Sequence, residues 1–392
     1  MSEGSAYPKF LSSKVAFSIT HRQKMPYPSK EFPKLSNMCI GQLSDNFDRF
    51  PALDGIEKHF KERVYENMGV GFKMATLAKH VDYDPYWKKA CVERWKLQRL
   101  PNEHKTWRSA FFSKYLQEKI ENMEDLENEY SDLVDLLKVM ASDTFRLRID
   151  QVKVDFDVSD LIGKLANLTY LRIAWVKKVI SGPFNTQQLG MSLNDANNTA
   201  NLIVNLKDLE SLELACNKID DDGIKIIMKS LEDHPSLKHI SFSHNKIGNV
   251  GARRASRIFG KNKTVVSMDL SNNLIGYEGA RCLSMVLSEP TCQLEHLNLS
   301  LNLISDKAVT IMISDLAENT KLKHLDLSSN LLTDEVFYIN LVRSTVQTIS
   351  AQKQDPGYFK VKLQQVHTRH LQTIQGMPRQ ELNLERFRNK LQ

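Results

Sequence analysis

One apolar pattern recurs at nearly constant spacing through the middle of this chain. Its template is Leu-x-x-Leu-x-Leu-x-x-Asn-x-Ile, and five copies place their asparagine at Asn217, Asn245, Asn273, Asn302 and Asn330. The intervals between these asparagines are 28, 28, 29 and 28 residues. A period of this length, held over five copies, is typical of a solenoid in which each repeat packs only against its neighbours.

Each position of the template has a mechanical reason. The alternating apolar residues predict a short strand whose apolar side chains point inward, and stacked copies predict a parallel sheet. An asparagine side chain carries both donors and an acceptor, so it can pair with backbone groups left open where the chain leaves the strand. We therefore interpret the five asparagines as a structural ladder.

The segments between the strands predict helices that lie close to the sheet. Six residues after each of the first four asparagines comes a small residue, at Gly223, Gly251, Gly279 and Ala308, whereas Val336 breaks the pattern in the last copy. Apolar residues then recur at helical spacing. The predicted fold class is α/β: a leucine-rich-repeat solenoid with 28-residue repeats, which resembles the ribonuclease-inhibitor-like class.

Two less regular strands are expected upstream, at residues 145–149 and 168–173. From Leu168 to Leu209 is 41 residues, which exceeds one repeat, so we expect an insertion around residues 181–193. We divide the chain into an extended arm (1–34), a helical N-terminal domain (35–143), the solenoid (144–338) and a basic cap and tail (339–392).

Aromatic residues characterise the helical domain. Trp87, Cys91 and Trp95 share one helical stripe, and Trp107, Phe111 and Tyr115 share another. Such stripes are more often core than ligand site. We expect them to hold a helical bundle against the open N-terminal end of the solenoid, whose strand edge would otherwise face water.

The outward-facing strand residues form a predicted concave wall, which is our candidate protein-binding site. They are small, polar and partly acidic, which suits a basic or helical partner, although a simply solvated wall remains the alternative. The histidines have no third ligand in evidence, so no metal is expected. The candidate residues are Glu213, His239, Ser241, Asp269, His296, Asn298, His324 and Asp326.

The C-terminal tail carries charge of one sign. Residues 339–392 hold nine Lys and Arg against three Asp and Glu, which equals the net charge of +6 of the whole chain. Residues 337–362 are predicted to cap the last repeat, and a short amphipathic stretch beyond them to dock on a partner. A solvated tail that aids solubility is the alternative. The docking residues are Arg386, Phe387, Arg388 and Lys390.

No catalytic or cofactor signature is found. Gly69-Val-Gly71 lacks the third glycine of a dinucleotide fingerprint, and Gly260-Lys261 lacks the preceding glycine of a phosphate loop. We expect a non-enzyme without cofactor, nucleic-acid, membrane or small-molecule partner. Five scattered cysteines and the lack of an apolar leader favour the cytoplasm.

Two segments carry a resemblance to a known family. The run Tyr-Trp-Lys-Lys-Ala-Cys-Val-Glu-Arg-Trp at residues 86–95 and Trp-Arg-Ser-Ala-Phe-Phe at 107–112 precede the repeats. Together they resemble the leucine-rich-repeat subunit of the nexin–dynein regulatory complex, the T-complex-associated testis-expressed family, over residues 80–335. The resemblance implies a scaffold in the axoneme of motile cilia and flagella that binds other subunits of that complex, with doublet microtubules or dynein as further partners. It implies a link between doublets that regulates dynein-driven sliding.

Two other classes share part of the pattern. Paired tryptophans ahead of leucine-rich repeats also resemble an F-box protein, a substrate receptor of a ubiquitin ligase, but residues 35–43 lack its Leu-Pro start. Leucine-rich GTPase-activating proteins share the repeat length. Their repeats would begin at the first residues, whereas these begin near Phe145.

Overall fold

The N-terminal unit is helical. The protein is described from a computed structural model, which covers residues 34–123, 126–152, 157–175, 190–316, 319, 321–333 and 360–362. A 3-10 turn, Ala141–Asp143, ends the helical unit. Its helices are α1 (Leu35–Asp45), α2 (Lys58–Asn67), α3 (Met74–His80), α4 (Asp84–Trp95), α5 (Trp107–Asn122) and α6 (Leu126–Met140).

Aromatic packing joins α4 to α5. Trp87 is fully buried and its ring lies 5.1 Å from that of Phe112, edge to face. Its indole N–H donates to the Val81 carbonyl at 3.0 Å, so the buried polar atom is satisfied. Trp95 lies at the rim of this core, half-buried, and its indole N–H donates to Glu118.

A single parallel sheet forms the second unit. The strands pair in chain order, so each new repeat adds one strand to the edge left by the previous repeat. In the three-residue strands between Ser211 and Asp326 the middle side chain is buried and the two flanking side chains face outward. In the described part of the chain the strands are β1 (Arg146–Ile149), β2 (Tyr170–Ile173), β3 (Ser211–Glu213), β4 (His239–Ser241), β5 (Ser267–Asp269), β6 (His296–Asn298), β7 (His324–Asp326) and β8 (Lys360–Lys362).

Helices return the chain between strands along one side of the sheet. The small residues allow this close approach: a Cβ added to Gly251 would lie 2.7 Å from Ile247 Cγ2 and 2.9 Å from Ile224 Cγ2. The described helices are α7 (Val158–Ile162), α8 (Leu193–Asn205), α9 (Asp221–Leu231), α10 (Asn249–Lys261), α11 (Tyr277–Leu287) and α12 (Asp306–Asp315).

The helical unit covers the N-terminal edge of the sheet. Helix α5 packs against β1, and the Glu121 carboxylate accepts from the Asp150 backbone N–H at 2.7 Å. One continuous hydrophobic core runs from the helical unit into the solenoid. The predicted fold class, a leucine-rich-repeat solenoid with an N-terminal helical region, is confirmed.

Some predictions fall outside the described residues or need correction. The strand expected at residues 145–149 begins one residue later, because Phe145 precedes β1 and its side chain is 38% exposed. Residues 1–33 of the predicted arm, residues 181–189 of the expected insertion and all of the predicted cap and tail except 360–362 lie outside the described residues. Strand β8 lies within the predicted cap segment and pairs parallel with β7. The four-part division of the chain stays a prediction.

None of the described helices combines the length and the apolar character needed to cross a bilayer.

Candidate functional site

The face of the sheet away from the helices, here called the open face, holds the predicted wall residues. The strand register aligns Ser211, His239, Ser267, His296 and His324 in one row. It aligns Glu213, Ser241, Asp269, Asn298 and Asp326 in a second row. All eight candidate residues are exposed or half-buried, while the strand residue between the two rows is buried in each repeat.

The second row serves the fold as well as the surface. Asp269 Oδ1 accepts from the Ser271 backbone N–H at 2.8 Å. Asn298 and Asp326 accept from the backbone two residues on in the same way, at 3.1 and 3.0 Å. These side chains therefore brace the turn that follows each strand, a local bond that Asp and Asn both favour. The turn needs only an acceptor oxygen, so it does not explain why Asp269 and Asp326 carry a charge.

The histidines of the first row include one stacked pair. The rings of His296 and His324 lie 4.7 Å apart and nearly parallel, while Ser267 separates them from His239. Burial, together with the neighbouring His324, lowers the pKa of His296. Among the described residues, no three His, Cys, Asp or Glu side chains are grouped so that they could hold a metal ion.

The open face begins with a basic end that sequence reasoning missed. Arg146 and Tyr170 continue the first row, and Arg148 and Arg172 continue the second. The Arg146 guanidinium lies 3.9 Å from the centre of the Tyr170 ring. The sequence could have predicted this basic end, because these residues occupy the outward positions of the two irregular upstream strands.

Arg172 is held between two carboxylates. It donates to Asp150 and to Glu213, each at 2.9 Å. Burial raises the pKa of Asp150, but hydrogen bonds from Arg148 and Arg172 outweigh burial and leave the pKa below its usual value. Glu213, a predicted partner-binding residue, is therefore already engaged within the chain.

The ladder asparagines join neighbouring repeats. Asn273 Oδ1 accepts from the Ile247 N–H of the preceding repeat at 3.0 Å, and its Nδ2 donates to the Phe242 carbonyl there, also at 3.0 Å. A further bond to the Leu270 carbonyl holds its own repeat. Asn217, Asn245, Asn302 and Asn330 make corresponding bonds to the repeat before them.

The residue before each ladder asparagine adopts a left-handed backbone. None of these residues is glycine, so the sequence gives no sign of the turn. Their φ angles lie between +50° and +61°, a region that non-glycine residues seldom occupy. They are Cys216, His244, Asn272, Leu301 and Ser329.

The four predicted tail residues, Arg386, Phe387, Arg388 and Lys390, lie outside the described residues.

Comparison with protein families agrees with the repeat geometry. A family described as "Leucine Rich repeat" matches residues 205–228, 233–254, 261–284 and 318–335. The chain therefore contains leucine-rich repeats over these residues.

Curated relatives from two organisms carry the same protein name. The chain is 26% identical over 241 residues to "Dynein regulatory complex subunit 5" of Macaca fascicularis, covering 54% of this chain and 48% of that protein. It is 23% identical over 193 residues to the protein of the same name from Chlamydomonas reinhardtii, covering 49% and 50%. The chain spans about half the length of the curated relatives it matches. The predicted resemblance to a leucine-rich-repeat subunit of this complex is confirmed.

A solved structure is similar only in part. The "Leiomodin-1 Actin-Binding Site 2 (ABS2)" structure is 17% identical and matches with a TM-score of 0.30, covering 42% of this chain and 98% of that one. We infer nothing from a likeness this weak.

Proposed function

We propose that this chain is a non-catalytic scaffold subunit of the nexin–dynein regulatory complex in the axoneme of cilia and flagella. The observation that carries the proposal is its similarity to dynein regulatory complex subunit 5 from both Macaca fascicularis and Chlamydomonas reinhardtii. In this role the chain holds other subunits of the complex in place, and the complex links doublet microtubules and regulates dynein-driven sliding. The same relatives favour this function over an F-box receptor.

A non-catalytic role fits the two buried cysteines, Cys91 and Cys292. Burial raises the pKa of the Cys91 thiol to about 12 and also raises the pKa of Cys292. Since the thiolate is the reactive form, these thiols are poor nucleophiles at neutral pH. The absence of a nucleophile–base motif in the sequence supports the same conclusion.

The open face is the proposed contact surface for a partner. Strand spacing of about 4.8 Å repeats each row at short, regular intervals on a rigid sheet. Asp269 and Asp326 give the C-terminal half of the second row an acidic character, while Arg146 and Arg148 give the N-terminal end a basic one. A partner that fits would present basic groups to the aspartates and acidic groups to the arginines.

Charge can be removed from this face without removing the turn bonds. Asparagine keeps the Oδ1 acceptor of aspartate, as Asn298 shows in the equivalent repeat. The double variant Asp269→Asn/Asp326→Asn therefore tests the surface and spares the fold. Asp208→Asn/Asp233→Asn is the matched control, because both are exposed loop aspartates outside the strands.

The experiment uses the tagged full chain in ciliated cells that lack the endogenous protein. We expect the wild-type chain to localise along the axoneme and to copurify with the complex. The open-face double variant should incorporate several-fold less at an unchanged melting temperature, and the loop control should incorporate normally. A wild-type chain absent from the axoneme would overturn the proposed function. Full incorporation of the open-face variant would overturn only the proposed contact surface.

A further inference from the structure

A groove lies on the helical side of the solenoid, away from the open face. It runs over the outer surfaces of α8, α9 and α10 and has a volume of about 700 Å³. This volume is within the range of grooves that accommodate a ligand or a side-chain cluster of a partner. Nothing in the proposed function uses it.

Cations dominate the walls of this groove. Lys225 and Lys229 from α9 face Arg254, Arg257 and Lys261 from α10. One acidic residue is found among the described lining residues: Glu232, which pairs with Lys261. In the described ranges no carboxylate forms an ion pair with the other four cations, so the groove keeps a strong excess of positive charge.

One donor in the groove lacks an acceptor. The guanidinium Nε of Arg254 is buried and has no hydrogen-bond partner. Buried polar atoms are nearly always paired in folded proteins, and an unmet donor costs free energy. Because this Nε has almost no accessible surface, a carboxylate in the groove would reach it only if the Arg254 side chain turned.

The remaining lining residues indicate what kind of acidic ligand fits. Val204, which is 56% exposed, and Ile226 add an apolar strip, and Asn197 and Asn201 add amide groups. Among the described residues no aromatic side chain lines the groove, so these residues offer no platform on which nucleic-acid bases could stack. The chain's own C-terminal tail carries nine basic against three acidic residues, which is the wrong sign for this surface.

We propose that the groove over α8, α9 and α10 binds an acidic peptide segment of a partner protein. Carboxylates of the peptide pair with Lys225, Lys229, Arg254 and Arg257, and an apolar side chain of the peptide lies against Val204 and Ile226. The site is independent of the open face, so the chain can hold two partners at once.

The test measures binding of a fluorescein-labelled synthetic helix, with glutamates on one face and leucines beside them, to the purified full chain. We expect saturable binding that weakens with salt. Lys225→Glu/Arg257→Glu should weaken the Kd about tenfold or more, because it replaces attraction by repulsion. Arg281→Glu/Lys307→Glu, which changes the charge equally on α11 and α12 outside the groove, should change the Kd little.

Melting temperatures of both double variants are measured alongside. If the groove variant unfolds, Lys225→Gln/Arg257→Gln replaces it and should still weaken binding several-fold. No binding of the peptide, or an equal loss in both double variants, would overturn the proposal. Tighter binding of a single-stranded oligonucleotide of matched charge would overturn it in favour of a nucleic-acid site.

Discussion

At the scale of single residues, one asparagine side chain fastens two repeats. Asn273 pairs with backbone groups of its own repeat and of the repeat before it, and all of these groups are buried. Removing the amide leaves the buried Ile247 N–H without a partner. The two carbonyls keep the bonds that they also accept from the neighbouring ladder asparagines, and both repeats keep their apolar contacts. The polar ladder and the leucine core are therefore separate contributions to stability.

Asn273→Ala should lower the free energy of unfolding by about 1–3 kcal/mol, the usual cost of leaving one buried backbone group unpaired. Asn330→Ala removes an equivalent set of bonds at the last regular repeat. Each repeat of a solenoid is stabilised by its interfaces with its two neighbours, and a central repeat has two such interfaces. The central change should therefore lower the melting temperature more than the terminal one. Equal shifts, or none, would contradict this account of the ladder.

A buried histidine occupies a place that asparagine takes one repeat later. His234 Nε2 lies 3.1 Å from the Leu206 carbonyl. In the next repeat, 28 residues later, Asn262 Nδ2 donates to the His234 carbonyl in the corresponding way. Burial lowers the pKa of His234 below its ordinary value. The folded state therefore favours the neutral ring, and its contribution to stability is present above about pH 6.5 and lost as pH falls below that value.

His234→Asn should remove this loss while keeping a donor for the Leu206 carbonyl, as Asn262 Nδ2 provides for the His234 carbonyl in the next repeat. We expect the melting temperature of the wild-type chain to fall more steeply between about pH 7.5 and about pH 5 than that of the variant. Thermal melts at several pH values measure the difference. His59→Asn, a change at an exposed histidine, is the control and should keep the wild-type slope. Parallel slopes for His234→Asn and the wild type would show that His234 is not the titrating group.

At the scale of elements, a helix of one repeat caps the helix of the next. Helices α10 and α11 begin after Gly248 and Gly276, which have no side chain to accept from the first backbone N–H groups. Asp221 Oδ1 of α9 accepts from the N–H groups of Gly248 and Gly251, at 2.7 and 2.9 Å. Asn249 of α10 does the same for Gly276 and Gly279 of α11.

Asp221→Ala should cost about 1 kcal/mol, the typical value of an N-cap side chain, although the helix it caps lies in another repeat. Asp221→Asn should cost much less, because the acceptor is retained as in Asn249. Asp222→Ala is the control: it removes a charge from the same first turn, without a bond to α10. Chemical denaturation measures all three, and equal losses from Asp221→Ala and Asp222→Ala would leave only a helix-dipole effect.

The glycines at the start of these helices are not equally restrictive. Gly251→Ala should lower stability, since overpacking costs about 1–3 kcal/mol and alanine's helix preference returns only about 1 kcal/mol. At Gly223 the nearest atom to an added Cβ is Ile219 Cγ2 at 3.2 Å, a contact that a small shift relieves. Gly223→Ala should therefore leave the melting temperature unchanged or raise it. A larger loss at Gly223 than at Gly251 would contradict the packing argument.

The sequence predicts the features that follow from the spacing of residues along the chain. It does not predict the contacts that one repeat makes with the next. The strands, the returning helices and the asparagine positions follow from a period that can be counted along the chain. The cap at Asp221 could not be found in this way, because an aspartate in a first turn is equally expected for its favourable charge. The basic end of the open face was missed because Arg148 and Arg172 lie in copies that break the template.

At the scale of the whole molecule, the basic tail remains a predicted docking element. Short amphipathic stretches such as the one around Phe387 are marginal as isolated helices in water, so they order only against a surface. Deletion of residues 377–392 should abolish or strongly reduce complex assembly and leave the melting temperature unchanged. Copurification from ciliated cells and thermal melts of the purified chain measure the two effects. Normal assembly, or a collapse of the fold, would contradict the prediction.

The asparagine ladder also sets the order in which the repeats can be completed during synthesis. Each asparagine completes the repeat that leaves the ribosome before it, so a new repeat stays unfinished until the next 28 or so residues have emerged. At about 5–20 residues per second, that wait is on the order of seconds. The pace of translation through residues 205–333 thus sets how long each nascent strand edge stays open to other chains.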